Sequence, residues 1–109
     1  MNADWWPPIP TLVRGTGGTI RVRCVKKVKH TDGTECWGEW DEAKRSIRID
    51  KTAKLEHQWR VLFHELTHAA LGDAGIENLF DPAGVETLCD ALATARMQEF
   101  RGQLGIMDA

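Results

Sequence analysis

The sequence predicts an α+β domain in which a three-stranded, mostly antiparallel sheet precedes two helices. Three segments with strand-like patterns come first, and two turn-forming segments separate them in the manner of a β-meander. Two longer segments with helically spaced apolar residues follow, and each ends at a glycine. The predicted strands are residues 19–28, 35–40 and 46–50, and the predicted helices are residues 55–71 and 81–101.

Residues 1–18 are predicted to form an extended arm ahead of the first strand. Trp5 and Trp6 precede Pro7 and Pro8 there, and proline fits neither a helix interior nor a central strand. We expect the two tryptophans either to pack back across the domain or to bind a partner. Residues 19–109 are then expected to form a single domain.

The first predicted strand has one buried face and one solvated face. Ile20 and Val22 alternate with Arg21 and Arg23, which is the pattern of a half-buried strand. The basic stretch that this strand begins is therefore interpreted as a solvated face. Since the formal net charge of the chain is -2, a nucleic-acid partner is not the expected one, and a surface for phosphate or for an acidic partner is the alternative interpretation of the basic stretch.

Length and cysteine content place the chain among small proteins of a reducing compartment. A chain of 109 residues with 42% hydrophobic content can bury one small core. Its three cysteines are odd in number and lack C-x-x-C spacing, so no disulfide framework is expected. No signal peptide and no run of about 20 apolar residues is present. We expect a cytoplasmic protein that is neither secreted nor bound to a membrane.

The first predicted helix contains the motif H-E-x-x-H, formed by His64, Glu65 and His68. Residues four apart lie on one helix face, so both imidazoles can reach a single metal ion while the glutamate lies beside it. A catalytic zinc takes three protein ligands and leaves its fourth position for water. The motif predicts one Zn²⁺ per chain.

The third ligand is expected to be acidic, since no histidine follows His68. Asp73 follows Gly72, the apparent end of the helix, and would have to fold back sharply. Glu86 lies one turn into the second predicted helix, with Asp90 one turn further on the same face. Glu86 is preferred as the ligand, because Asp90 then suits the carboxylate that commonly orients a metal-bound imidazole. The acidic candidates are Asp73, Glu77, Asp81, Glu86 and Asp90.

These five residues, His64, Glu65, His68, Glu86 and Asp90, resemble the pattern of the gluzincin metallopeptidases. The short chain and strand-rich lead-in are similar to the minigluzincins and to the ImmA/IrrE-like proteins of bacteria and phages, over roughly residues 33–97. The resemblance implies zinc on the two histidines and Glu86, with Glu65 as general base and Asp90 supporting a ligand histidine. It also implies a zincin-like domain, in which a twisted, mostly antiparallel sheet packs on the motif helix and the glutamate-bearing helix lies behind it.

One departure from the gluzincin pattern is the complete absence of tyrosine. Gluzincins commonly use a Tyr or His to stabilise the oxyanion, and loss of one such donor typically costs about 10²–10³ in turnover. The candidates to replace it are His57 and Arg96, together with His30. The resemblance implies a zinc metallopeptidase acting on peptides or proteins. The alternative is a catalytically weak or inactive zinc-binding module that binds a host or virion protein.

Overall fold

A computed structural model describes residues 6–30 and 32–105 of the chain. These residues form an α+β structure, as predicted, and the prediction for Trp5 lies outside them. A short 3₁₀ turn, Glu77–Leu79, connects the two helices. The strands are β1 (Leu12–Gly15), β2 (Gly18–Val25), β3 (Val28–Lys29), β4 (Glu35–Cys36), β5 (Gly38–Asp41) and β6 (Ser46–Asp50), and the helices are α1 (Leu55–Asp73) and α2 (Pro82–Leu104).

The main sheet has four strands in the order β1-β2-β6-β5. Its two outer pairs are antiparallel, but β2 and β6 run parallel at the centre, with Val22 opposite Ile47. The prediction of a three-stranded, mostly antiparallel sheet is therefore wrong in its number of strands, and it did not include the parallel pair at the centre. The chain leaves the sheet after β2 to form the separate β3–β4 ladder, and it returns as the β5–β6 hairpin with β6 beside β2. Alternating hydrophobicity reports which face of a strand is buried, and it carries little information on which strand lies alongside.

The fourth strand comes from a segment that the sequence analysis assigned to the extended arm. Leu12–Gly15 pairs with β2 through a tight turn in which Gly15 lies opposite Gly18. Gly18 has a φ of 135°, a conformation that glycine adopts without steric cost. The last part of the predicted arm is thus an edge strand of the sheet.

The core lies between the inner face of the sheet and α1. Ile20, Ile47 and Ile49 have no exposed surface, and they pack in one cluster with Trp59 and Leu62 of α1. On its other side α1 packs against α2, which contributes buried residues such as Ala93 and Met97. Helix α1 is therefore covered on two sides, by the sheet and by α2.

Both helices begin close to their predicted positions. The Asp81 side chain accepts a hydrogen bond from the backbone N–H of Gly84 at 2.6 Å, and Pro82 takes the first helical position. Helix α2 ends at Leu104 and is capped by Gly105, which is left-handed with a φ of 75°. This glycine lies three residues beyond Gly102, where the end of the helix was predicted. No helix in the described ranges combines the length and apolarity needed to cross a membrane.

Trp6 packs back onto the helices. It is 8% exposed, its Nε1 donates to Oε1 of Glu56 at 3.2 Å, and its ring centroid lies 5.8 Å from that of Phe100. The adjacent Pro7 carbonyl accepts a 2.7 Å hydrogen bond from Nε1 of Trp59. Of the two outcomes predicted for the arm, Trp6 follows the first.

Candidate metal centre

Helix α1 presents His64 and His68 to α2, and Glu86 meets both. The imidazole centroids are 5.0 Å apart, as expected for residues one helical turn apart on the same face. Oε1 of Glu86 lies 3.6 Å from Nε2 of His64, and Oε2 lies 2.6 Å from Nε2 of His68. The packing of α1 on α2 thus places two imidazole nitrogens of one helix beside a carboxylate from a later part of the sequence.

Asp90 contacts the other nitrogen of His64. Its Oδ1 lies 2.8 Å from Nδ1 of His64, one turn along α2 from Glu86. A carboxylate in this position favours the tautomer with its proton on Nδ1, which leaves the Nε2 lone pair free to bind a metal. The orientation of His64 therefore suits a ligand.

The donor set fits zinc. Two imidazole nitrogens and one carboxylate oxygen are ligands that Zn²⁺ prefers, and Nε2 of both histidines faces the Glu86 carboxylate. Neither His64 nor His68 has more than 20% of its side chain exposed, so a metal here would be partly shielded from solvent. Glu86, at 58% exposure, borders an opening.

Cys89 also belongs to this cluster, although the sequence analysis did not include it. The ligand atoms of His64, His68, Glu86 and Cys89 all lie within 4.8 Å of one another. Burial, reinforced by the nearby Glu86 carboxylate, raises the pKa of the Cys89 thiol to about 12. The signal available in the sequence was its position three residues after Glu86, which places both on neighbouring parts of one helix face.

Glu65 lies beside the histidines and points toward β5. Only 8% of it is exposed, and burial raises its pKa, while His68 and His64 oppose the rise and a hydrogen bond from the backbone of Trp40 also lowers it. A carboxylate whose pKa is raised toward neutrality accepts and returns protons more readily than an ordinary one. This environment suits a general base.

The other acidic candidates have different partners. Asp73 accepts from Nη1 of Arg45 at 2.8 Å and from the backbone N–H of Gly17 at 2.9 Å, and the hydrogen bond from Arg45 holds the pKa of Asp73 below its ordinary value. Asp81 caps α2. Glu77 lines the same cavity as the histidines but is not part of the ligand cluster.

A cavity of about 540 Å³ opens beside the cluster, between β5 and the two helices. His64, His68 and Glu86 of the cluster line it, and so do Trp37, Trp40, His57 and Arg60. Trp37 is 52% exposed, and its ring meets that of His57 edge-on at 5.0 Å. An open cavity with aromatic walls and a few polar groups is the usual form of a ligand site.

The two main candidates for the oxyanion donor are separated by the fold. His57 lines the cavity, and its Nε2 is buried with no hydrogen-bond partner among the described residues. Arg96 instead lies over the Phe63 ring, 5.3 Å from its centroid, and borders a separate groove with Glu99. The additional candidate, His30, also lines the cavity. Its Nδ1 lies 3.0 Å from Oε2 of Glu39.

One comparison with known proteins gave a match. The protein-family model described as Peptidase_M78, IrrE N-terminal-like domain, matches residues 21–103. This range contains α1, all but the last residue of α2 and every residue of the cluster. Searches of curated proteins and of solved structures gave no match.

Proposed function

Because the chain belongs to the IrrE N-terminal-like family of M78 peptidases, we propose that it is a zinc-dependent metallopeptidase that hydrolyses peptide bonds. The observation that carries the proposal is the convergence of His64 Nε2 and His68 Nε2 on the two carboxylate oxygens of Glu86. In this proposal those three residues hold one zinc ion. Asp90 keeps the proton of His64 on Nδ1.

Zinc, when bound, supplies a Lewis acid that polarises a carbonyl and lowers the pKa of water toward about 7. Glu65 takes the proton from the attacking water and delivers it to the nitrogen of the scissile amide as the carbon–nitrogen bond breaks. Its burial supports this role, since it makes the carboxylate a stronger proton acceptor. The backbone hydrogen bond from Trp40 orients the carboxylate.

We propose that the peptide lies extended along β5. The resemblance to gluzincins implies an extended peptide along an exposed strand edge, and it left two predicted strands open for this role, residues 35–40 and residues 46–50. Strand β6 has neighbours on both sides, β2 and β5, whereas β5 ends the sheet. The free edge of β5 can therefore pair with a peptide backbone by strand addition, with Trp37 and Trp40 beside the cavity for side-chain contacts.

We propose His57 as the side-chain candidate for stabilising the oxyanion, since it lines the cavity. It lies two helical turns before His64, about 10 Å along the axis at 1.5 Å per residue. At this distance from the metal ligands, we expect His57 either to contribute little to oxyanion stabilisation or to be replaced in that role by a backbone N–H. A slow enzyme is the expected consequence.

The test compares wild type with Glu65→Gln for hydrolysis of a mixed peptide library and for zinc content. We expect the variant to keep its zinc and to lose at least about 10²-fold in turnover. Glu99→Gln is the matched control, because Glu99 lies on α2 beside the separate groove. Undiminished turnover in Glu65→Gln would overturn the role of Glu65.

The alternative function is a zinc-binding module that binds a protein without cutting it. The absence of tyrosine from the chain favours it. It predicts one zinc per chain, no hydrolysis by wild type and no difference between wild type and Glu65→Gln. In either case we propose a single zincin-like domain that acts in the cytoplasm of a bacterium or a phage-infected cell.

A further inference from the structure

Cys89 is a buried thiol that lies beside the side chains of His64, His68 and Glu86. It has no exposed surface, and its Sγ lies within 4.8 Å of the ligand atoms of His64, His68 and Glu86. Ligands of a tetrahedral zinc at bond lengths of about 2.0–2.3 Å are about 3.4–3.7 Å from one another. For all four atoms to bind one ion, separations near 4.8 Å would shorten by about 1 Å, and the 2.6 Å between Nε2 of His68 and Oε2 of Glu86 would lengthen by a similar amount.

The other two cysteines have different surroundings. Sγ of Cys24 donates to Oε1 of Gln58 at 3.6 Å, and Sγ of Cys36 donates to the carbonyl of Val28 at 3.8 Å. No acceptor within residues 6–30 and 32–105 takes a hydrogen bond from Cys89. Its sulfur thus lacks a hydrogen-bond partner among these residues, although it lies next to three potential metal-ligand atoms, those of His64, His68 and Glu86.

We propose that Cys89 is a fourth protein ligand of the zinc centre in its resting form, which completes a His₂GluCys set. The proposal rests on the zinc site described above and deepens it. On binding, the S–H bond breaks as the sulfur–metal bond forms, and the proton is released to solvent. Thiolate, imidazole and carboxylate are all established zinc ligands.

A fourth protein ligand changes what the centre does at rest. Catalytic zinc sites keep one position open, whereas sites closed by four protein ligands are structural. With Cys89 bound, the position needed for hydrolysis is filled, so only those chains from which the sulfur has withdrawn can turn over, and wild type is slow. Activity requires withdrawal of the sulfur, and removal of the thiol should raise turnover.

Replacement of zinc by Co²⁺ tests the proposal through absorption. Thiolate bound to Co²⁺ gives a strong charge-transfer band in the near ultraviolet, and the visible bands report tetrahedral coordination whether or not sulfur is bound. We expect the near-ultraviolet band in wild type and its loss in Cys89→Ser and Cys89→Ala. Cys24→Ser and Cys36→Ser are matched controls, and both should keep the band.

The outcomes separate this proposal from the zinc site itself. Failure of folded wild type to bind Co²⁺ or Zn²⁺ would overturn both. Binding of one Co²⁺ per chain without the sulfur band, or with a band that survives in Cys89→Ser, would overturn the role of Cys89 and leave the three-ligand site standing. Zinc-edge X-ray absorption of wild type needs no variant. One sulfur at about 2.3 Å is expected, and a shell of nitrogen and oxygen alone would contradict the proposal.

Discussion

Nδ1 of His64 lies 2.8 Å from Oδ1 of Asp90, so a carboxylate of α2 sets which nitrogen of an α1 imidazole faces Glu86. Asp90→Asn should lower zinc affinity by about 10–100-fold, the usual effect of removing the carboxylate behind a ligand histidine. The fold should be little affected, because the Asp90 side chain is 74% exposed. Competition with a chromophoric chelator measures the affinity. Equal affinities for Asp90→Asn and the control Glu99→Gln would contradict the prediction.

Glu86 and Glu77 provide a matched pair for identifying the third ligand. Both line the cavity, but only Glu86 contacts the histidines. Elemental analysis of protein purified without chelator or metal resin should find about one zinc in wild type and in Glu77→Gln, and much less in Glu86→Gln. A full complement of zinc in Glu86→Gln would exclude that residue as an essential ligand.

Gly38 allows β5 to approach α1 closely. A Cβ at this position would overlap Cγ1 of Val61 and lie 3.1 Å from the carbonyl oxygen of Arg48. Gly38→Ala should therefore lower the free energy of unfolding by about 1–3 kcal/mol, the usual cost of overpacking. Gly102→Ala is the control, since a Cβ there meets nothing within 4 Å and helical alanine should gain up to about 1 kcal/mol. Urea unfolding should show a lower free energy of unfolding for Gly38→Ala and an equal or higher one for Gly102→Ala. An unchanged free energy of unfolding in Gly38→Ala would refute the close contact.

The Arg45–Asp73 ion pair should make stability depend on pH. The hydrogen bond from Arg45 holds the native pKa of Asp73 below its ordinary value of about 3.9. The ion pair therefore contributes its full stabilisation above that value. It is lost as the pH falls through the native pKa. Asp73→Asn should be less stable than wild type at pH 7, and the gap should close as the pH falls below about 4. A gap that stayed constant down to acid unfolding would exclude the carboxylate as its source.

A double-mutant cycle with Arg45→Met checks that the partner is correctly identified. The two single substitutions remove the same ion pair, so the double variant should lose less than the sum of the two losses. Strict additivity would show that Asp73 is stabilised mainly by the Gly17 N–H.

Trp6 should contribute strongly to stability. Its ring is buried against Phe100, and replacing a buried tryptophan by alanine typically costs about 3–5 kcal/mol. Trp6→Ala should show this loss in urea unfolding, whereas Trp37→Ala, with Trp37 half exposed, should change stability by less than about 0.5 kcal/mol. Equal effects would mean that Trp6 is not packed on the helices in solution.

The features that the sequence predicted correctly depend on local signals. Asp81 and Pro82 mark the start of α2 through hydrogen bonding and backbone geometry confined to one turn. The sheet was predicted incorrectly because the parallel pairing of β2 with β6 depends on tertiary packing. Short strands such as β1 have too few residues to show a clear alternation.

The site prediction likewise succeeded where the signal was local and failed where the feature depends on tertiary packing. The helical period places Glu86 and Asp90 on one face, but at 100° per residue it separates Arg96 from Asp90 by about 120° around the helix axis, so a helical wheel already argued against Arg96. Cys89 has the pattern of a small core hydrophobe. Its position beside His68 becomes evident only when α2 is packed on α1.

The parallel pairing of β2 with β6 also affects how fast the chain can fold. The β1–β2 and β5–β6 hairpins join neighbours in sequence and need little loop closure, whereas pairing Val22 with Ile47 requires the whole connection through β3 and β4 to be ordered first. We expect the hairpins to form early and their side-by-side docking to limit the rate. Until that docking occurs, β5 has no fixed position relative to α1, so we expect the edge of β5 beside the cavity to be among the last parts of the molecule to form.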